Sequence, residues 1–147
     1  MTRKITRGVA QIAAGKEKTL SLGNLDAQRD WGYSPEYVEC MWMMLQQKNA
    51  GDYVIGTGET HSVAEFVDAV FEYVDLDKDK HVKIDKKFFR PTEVDVLVAD
   101  ARKAEKDLTW KAKVKFNDLV KIMVDADLRE FGVEPVGEGD MILKKKF

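Results

Sequence analysis

The segment from Ser62 to Val74 is the feature that most constrains the fold of this chain. Its apolar side chains recur with the 3.6-residue period of an α-helix. Ser62 and Glu65 are spaced as a capping box, in which a hydroxyl and a carboxylate satisfy the first backbone N–H groups of a helix. The apolar stripe comprises Val63, Phe66, Val67, Val70, Phe71 and Val74. Because such a stripe must be buried, the sequence predicts a folded domain with helices in its core.

Three other segments are predicted to be helices, the first of them short and amphipathic. Apolar residues recur at helical spacing between Thr2 and Ala14. A second helix is expected to have Ser34 as its N-cap and Pro35 at its first position, and its apolar residues predict burial on more than one side. The third helix has an apolar stripe of Phe116, Leu119, Val120, Met123 and Val124.

Short strands are expected between these helices. The alternation in residues 19–23 and the apolar run in residues 52–56 predict two of them, the second one buried, and a third is expected in 81–85. Residues 88–100 are expected to be extended around Pro91, and Asp100 is expected to cap a short helix. Residues 132–147 are predicted to be a flexible tail with a loop and a frayed helical turn. The predicted class is mixed α/β, rich in helix.

The length and charge of the chain exclude several classes of protein. A chain of 147 residues with 44% apolar and 34% charged residues is expected to form a single domain over 1–147. No apolar run is long enough to span a membrane and the basic N-terminus lacks a signal peptide, so we expect a cytoplasmic protein without a membrane partner. The net charge of −2 argues against nucleic-acid binding. Cys40 is expected to be a packed rather than a reactive thiol.

Two motifs resemble ligand-binding loops, and each lacks a required residue. Asp75, Asp77 and Asp79 imitate a calcium-binding loop, but lysines stand at its sixth and twelfth positions, which favours a solvated charged loop. Gly56-x-Gly58 resembles a dinucleotide fingerprint, but His61 replaces its third glycine, which favours a simple turn before a helix. The sequence also has no Tyr-x-x-x-Lys pair, and it predicts neither a catalytic residue nor a metal ligand.

Cationic side chains are the best candidates for binding a ligand. Arg3, Lys4 and Arg7 oppose the dipole of the first helix, so they indicate either a phosphate site or a solvated basic face. Arg29 and Arg90 lie in loops beside apolar residues, where a partly buried guanidinium needs an anionic partner. That partner is either a ligand or an internal carboxylate, such as Glu93 or Asp95 for Arg90.

Four segments of the chain closely resemble, in order, the C-terminal half of the GDP-mannose 4,6-dehydratases, which are extended short-chain dehydrogenases. The resemblance runs from Thr2 to about Leu128. Its most specific parts are LGNLDAQRDWGY, TGETHSV and FRPTEVD. The departures, at Lys86, Thr109 and 111–112, concern turns. The resemblance implies the C-terminal, substrate-binding portion of an NAD(P)-binding extended short-chain dehydrogenase fold, without the Rossmann cofactor lobe.

The resemblance also implies a site for a GDP-sugar. Lys4 and Arg29 would bind the diphosphate, and Arg90 would meet the diphosphate or the ribose. Glu93 would accept hydrogen bonds from the ribose hydroxyls. The residues expected against the guanine are Leu22, Gly23 and Asn24.

In the family, the NADP loop, the catalytic Thr and Glu and the Tyr-x-x-x-Lys pair precede the segment matched here. We therefore expect this chain to bind GDP-mannose or GDP, to hold no cofactor of its own and to be inactive alone. The alternatives are an interaction or oligomerisation module, or a non-functional fragment. A strand at 52–56 and one within 90–100 would lose the neighbours that the cofactor lobe provides, so we expect a homodimer, a higher oligomer or a separate cofactor-binding chain as partner.

Overall fold

The computed structural model describes residues 1–89, 92 and 94–147. The helices are α1 (Thr2–Ala13), α2 (Ser34–Leu45), α3 (Val63–Tyr73), α4 (Lys78–His81), α5 (Arg102–Leu108), α6 (Phe116–Glu130) and α7 (Glu138–Lys146), with a 3-10 turn at Lys86–Phe88. The strands are β1 (Leu20–Leu22), β2 (Gln28–Arg29), β3 (His61–Ser62) and β4 (Val82–Ile84). The helix-rich mixed α/β class predicted from the sequence is confirmed.

Two small sheets hold the loops in place. β1 pairs in parallel with β4, with Leu20 opposite Val82. β2 pairs antiparallel with β3, and Gln28 also bridges in parallel to Val96. The strands predicted in 19–23 and 81–85 are therefore present, and each sheet fixes one end of the loop between β1 and β2.

The main core lies between α1, β1, α3 and α6. Ile5, Leu22 and Phe66 are completely buried there. α3 begins with the predicted capping box: the Ser62 hydroxyl accepts from the Glu65 N–H, and the Glu65 carboxylate accepts from the Ser62 N–H at 2.6 Å. These hydrogen bonds hold the pKa of Glu65 below its usual value. α1, α3 and α6 occupy the segments predicted for them.

A second apolar cluster joins α2 to α5. Cys40 is fully buried in it, and desolvation, with a smaller effect of the charge on Glu39, raises the pKa of its thiol, as expected for a packed cysteine. The predicted start of α2 was one residue off, because the N-cap is Tyr33 and Ser34 is already helical. The predicted coverage was also wrong: a stripe of apolar side chains on α2 is exposed. The α2 stripe consists of Val38, Met41, Trp42 and Leu45.

The buried carboxylate of Glu36 connects α2 to the segment before α6. It accepts hydrogen bonds from the backbone N–H groups of Lys113 at 2.7 Å and Val114 at 3.1 Å. The indole N–H of Trp110 donates to the Glu36 carbonyl at 3.1 Å. Since only 1% of Glu36 is exposed, these donors replace the water that its charge would otherwise bind.

Two further sequence predictions differ from the structure. Residues 52–56 form no strand, and 56% of Val54 is exposed. Among the described residues no strand pairs with this run, and Tyr53 and Ile55 instead pack, partly buried, against the cluster between α2 and α5. The C-terminal segment contains the nine-residue helix α7 where only a frayed turn was expected. The buried carboxylate of Asp125 accepts from the N–H groups of Gly137 and Gly139 and so anchors its first turn to α6.

No helix in the described part of the chain combines the length and the apolar character needed to cross a membrane.

Candidate functional site

Lys4 and Gly23 meet at the 3-10 turn that follows β4. The ammonium of Lys4, in the first turn of α1, lies 3.6 Å from the centroid of the Phe88 ring, within the range of a cation–π interaction. Gly23 approaches the same residue so closely that a Cβ there would lie 2.6 Å from the Phe88 carbonyl oxygen. Glycine is therefore required at position 23 for this contact. A cavity of about 290 Å³ opens beside Lys4 and Phe88, between α1 and β1.

Leu22 and Asn24 flank Gly23 with different exposures. The Leu22 side chain is fully buried in the main core, so only its backbone can face a ligand. Asn24 is partly exposed, and its side-chain oxygen accepts from the Asp26 N–H at 2.9 Å, which closes a turn. The first N–H groups of α3 donate to the carbonyls of Leu25 and Ala27, at 2.9 and 3.1 Å. The start of α3 thus holds the loop that presents Asn24.

Arg29 lies in β2 and contacts a different part of the chain. Its Nη1 donates to the carbonyls of Gln28 at 2.7 Å and Val94 at 2.6 Å. These bonds hold the guanidinium between β2 and the segment 94–99. Arg90 and Glu93, the other two residues predicted for the site, lie outside the described residues.

The carboxylate of Asp30, which follows Arg29 directly, receives four hydrogen bonds. Oδ1 accepts from the backbone N–H of Thr57 at 2.9 Å and from its hydroxyl at 2.6 Å. Oδ2 accepts from the N–H of Gly58 at 3.0 Å and of Ala99 at 3.1 Å. The sequence prediction missed Asp30. Two features of the sequence could have suggested it, its position next to the predicted ligand Arg29 and the presence of a G-x-G turn elsewhere in the chain.

The Asp30 carboxylate occupies the N–H groups of the Gly56-x-Gly58 turn. The N–H groups of Thr57 and Gly58, which would face a pyrophosphate in such a fingerprint, are already bound to a carboxylate. A Cβ at Gly56 would lie 2.9 Å from Asp30 Oδ2 and 2.2 Å from the Cβ of Ala99. The described residues of this turn therefore do not fit an NADP pyrophosphate, and the predicted plain turn before α3 is present.

Arg3 and Arg7 pair with carboxylates at the end of α6. Arg3 lies 2.9 Å from Asp127 and 2.7 Å from Glu130, and Arg7 also pairs with Glu130. These carboxylates are a third kind of partner, which neither predicted alternative included, although 60% of the Arg3 side chain stays exposed. The two arginines attach α1 to α6, which explains why their unfavourable position at a helix N-terminus is tolerated.

One aspartate of the calcium-like motif caps a short helix. Asp77 is the N-cap of α4, and its carboxylate accepts from the Asp79 N–H at 3.1 Å. Lys80 lies 3.1 Å from Asp77 and, with this bond, holds the pKa of its carboxyl below the usual value. In the described part of the chain, no group of three or more His, Cys, Asp or Glu residues is placed to hold a metal ion.

A larger cavity, of about 580 Å³, lies between the first turns of α3 and α6. His61 stacks on Phe116 at its edge, with ring centroids 3.8 Å apart and 14° between the planes. Carboxylates dominate its lining, so an anionic diphosphate would be repelled there. The acidic residues in its wall are Glu59, Glu65, Asp68, Glu72 and Asp118.

Known proteins are similar to this chain over most of its length. The model of the GDP-mannose 4,6 dehydratase family matches residues 1–123. GDP-mannose 4,6 dehydratase 1 from Arabidopsis thaliana is 56% identical over 128 residues, which cover 87% of this chain and 36% of that protein. The human GDP-mannose 4,6 dehydratase is 45% identical over 152 aligned positions, covering 92% of this chain and 41% of that protein. The chain thus spans well under half the length of these curated relatives.

Solved structures of extended short-chain dehydrogenases share the fold. RMD from Pseudomonas aeruginosa, complexed with NADPH, superimposes with a TM-score of 0.77 at 14% identity, covering 88% of this chain and 42% of that one. WbmG from Bordetella bronchiseptica, in complex with NAD and UDP, has a TM-score of 0.65 at 27% identity and covers 90% of this chain and 41% of that one. From the family match and these identities, the chain belongs to the GDP-mannose 4,6-dehydratase family.

Proposed function

We propose that this chain is a nucleotide-sugar-binding portion of a GDP-mannose 4,6-dehydratase, and that it binds GDP-mannose or GDP. The observation that carries the proposal is the convergence of Lys4 and Gly23 on Phe88 beside an open cavity. An ammonium at the rim of a cavity suits a phosphate. The close contact of Gly23 with Phe88 fixes the backbone that the proposal places against the guanine. Family membership supports a guanine nucleotide as the ligand.

Arg29 would supply the second positive charge. Its planar guanidinium matches the oxygens of a phosphate group, and it is held in β2 by bonds to the carbonyls of Gln28 and Val94. Two cations, one on α1 and one on β2, would suit a diphosphate, whose charge is spread over two groups. Arg90 and Glu93 remain proposed ligands of the diphosphate or ribose and of the ribose hydroxyls, and Leu22 and Asn24 of the guanine.

We further propose that the 147-residue chain alone does not dehydrate GDP-mannose. The family's reaction uses NADP, and the G-x-G turn of this chain has its N–H groups bound to Asp30. None of the four tyrosines has a lysine four residues later, so the pair that moves a proton beside a nicotinamide is missing from this sequence. Formation of product from GDP-mannose and added NADP by the purified chain would overturn this part of the proposal.

Calorimetric titration with GDP and GDP-mannose tests the binding proposal. We expect Lys4→Ala and Arg29→Ala each to weaken GDP binding by about tenfold or more, since each removes a charge-assisted contact. Lys106→Ala on α5 is the matched control, because it removes an exposed cation that is distant in sequence from Lys4 and Arg29. Absence of any heat with wild-type protein at millimolar GDP would refute the proposal.

A second proposed function is self-association through the α2 stripe. Val38, Met41, Trp42 and Leu45 recur at the spacing of one helix face, and 62% of Trp42 and 81% of Leu45 are exposed. An exposed apolar stripe of this kind usually packs against a partner. The same face is self-complementary when two α2 helices pack antiparallel, so the proposed partner is a second copy of the chain, with a separate cofactor-binding chain as the alternative.

A further inference from the structure

We propose that Asp30 is a positioning residue of the nucleotide site, which places the guanidinium of Arg29 where it can meet a diphosphate. This inference rests on the proposed function. Asp30 itself is not offered as a ligand, since a carboxylate would repel the phosphates. Its role is to join three separate segments of backbone around Arg29.

The first step is the set of bonds that Asp30 makes. Its two oxygens bind Thr57 and Gly58 in the turn before α3 and Ala99 in the segment before α5. Gly56 permits this junction, because any Cβ there would collide with Asp30 and Ala99. One side chain therefore fixes the end of β2 against both neighbouring segments.

The second step leads from this junction to Arg29. Arg29 donates to the carbonyls of Gln28 and Val94, so the place of the Val94 carbonyl helps to determine where the guanidinium lies. Within the described residues, the segment after Val94 is tied to β2 at two points. Gln28 donates to the Asp95 carbonyl at 2.7 Å and accepts from the Leu97 N–H at 3.1 Å, and Asp30 accepts from Ala99. Loss of the Asp30 bond would leave only the first of these points.

The third step is that only a carboxylate fits this place. Three of the four partners are backbone N–H groups, which can only donate, and the fourth is the Thr57 hydroxyl at 2.6 Å. A carboxylate has acceptors on both oxygens. Asparagine has the same shape, but its NH₂ group would face N–H donors and leave them unsatisfied. Asp30→Asn is therefore a disruptive change without a change of volume.

A double-mutant cycle with Arg29 tests the inference. We expect Asp30→Asn to weaken GDP binding by about tenfold, and to have little further effect once Arg29 is already alanine. Binding of guanosine, which has no phosphate, should be unchanged by Asp30→Asn. A general loss of structure would instead weaken the binding of both ligands. Asp107→Asn is the matched control, because it removes the same charge from an exposed position on α5, outside the proposed site.

The outcomes separate this inference from the proposed function. If wild-type protein does not bind GDP, the proposed function fails and this inference fails with it. If wild-type protein binds GDP but Asp30→Asn binds equally well, the inference alone is wrong. It is also wrong if Asp30→Asn weakens the binding of GDP and of guanosine alike. The same holds if Asp30→Asn weakens GDP binding equally in the wild-type background and in the Arg29→Ala background.

Discussion

The Thr6 hydroxyl donates to Asp127 Oδ2 at 2.6 Å and joins the first helix of the chain to the end of α6. The other oxygen of Asp127 lies 2.9 Å from Arg3 Nε, but the geometry is not that of a hydrogen bond. Only 1% of Asp127 is exposed. Burial therefore outweighs the hydrogen bond and the charges of Arg3 and Arg7, and raises the pKa of the carboxyl above its usual value.

This raised pKa predicts how stability changes with pH. A carboxyl whose pKa is higher in the folded state contributes most stability when it is protonated, and loses that contribution as the pH rises through its folded value. Asparagine mimics the protonated form and does not titrate. We expect Asp127→Asn to gain stability relative to wild type as the pH is raised from about 4 to about 7.

Urea unfolding of both proteins across this pH range measures the difference directly. The comparison with the variant removes the contribution of Glu130, whose pKa is shifted in the opposite direction by its hydrogen bond to Arg7. A difference in stability that does not change with pH would contradict the prediction.

The α2 stripe predicts the effect of charge on self-association. Met41→Glu and Leu45→Glu place a carboxylate in the proposed interface, where it would be desolvated without a partner. We expect the wild-type chain to be dimeric or larger at micromolar concentration and both variants to be monomeric, as measured by light scattering. Val136→Glu is the control, because Val136 is 50% exposed but lies before α7. A monomeric wild-type chain would refute the proposed interface.

The Glu36 carboxylate predicts a second stability effect. In Glu36→Gln, the NH₂ group would face one of the two N–H donors, from Lys113 or Val114, and leave it buried without an acceptor. We expect a loss of about 1–3 kcal/mol in the free energy of unfolding. Glu39→Gln, an exposed change on the same helix, should leave stability nearly unaltered. Equal stability of the two variants in urea would argue against the role of these bonds.

The contact between α6 and α7 predicts a third effect on stability. A Cβ at Gly139 would lie 2.6 Å from the Lys121 carbonyl oxygen and 2.8 Å from the Ile122 Cα, neither of which can move without shifting α6. We expect Gly139→Ala to destabilise the protein by about 1–3 kcal/mol, despite the higher helix propensity of alanine. Met141→Ala, at a residue 61% exposed, should be neutral or slightly stabilising in thermal unfolding. A neutral Gly139→Ala would show that the two helices separate easily.

The sequence was sufficient where a signal was local. The capping box of Ser62 and Glu65 and the periodic stripe of α3 need no distant partner to be recognised. Burial of Cys40 was also predictable, since it lies within an apolar helical stretch. The apolar run in residues 52–56 was misleading because it predicts a buried strand, and the described residues provide no strand that pairs with it.

The prediction of the site was limited by pairings over long distances. The carboxylates that pair with Arg3 and Arg7 lie on α6, and nothing near the N-terminus of the chain indicates them. The role of Asp30 depends on Thr57, Gly58 and Ala99, which only the fold brings together. The family resemblance indicated candidate binding residues. The residues that hold them in place could be identified only from the hydrogen bonds in the structure.

The parallel pairing of β1 with β4 determines an order of events during synthesis. Leu20 cannot meet Val82 until the ribosome has released the whole of α3, and α1 cannot be secured by Asp127 until α6 has been made. Although α1 is synthesised before β4 and α6, its packing is therefore completed only after both have been made. A premature stop between β4 and α6 would leave the α1 face that packs on α6 exposed to proteases and chaperones, even though every residue of α1 had been translated correctly.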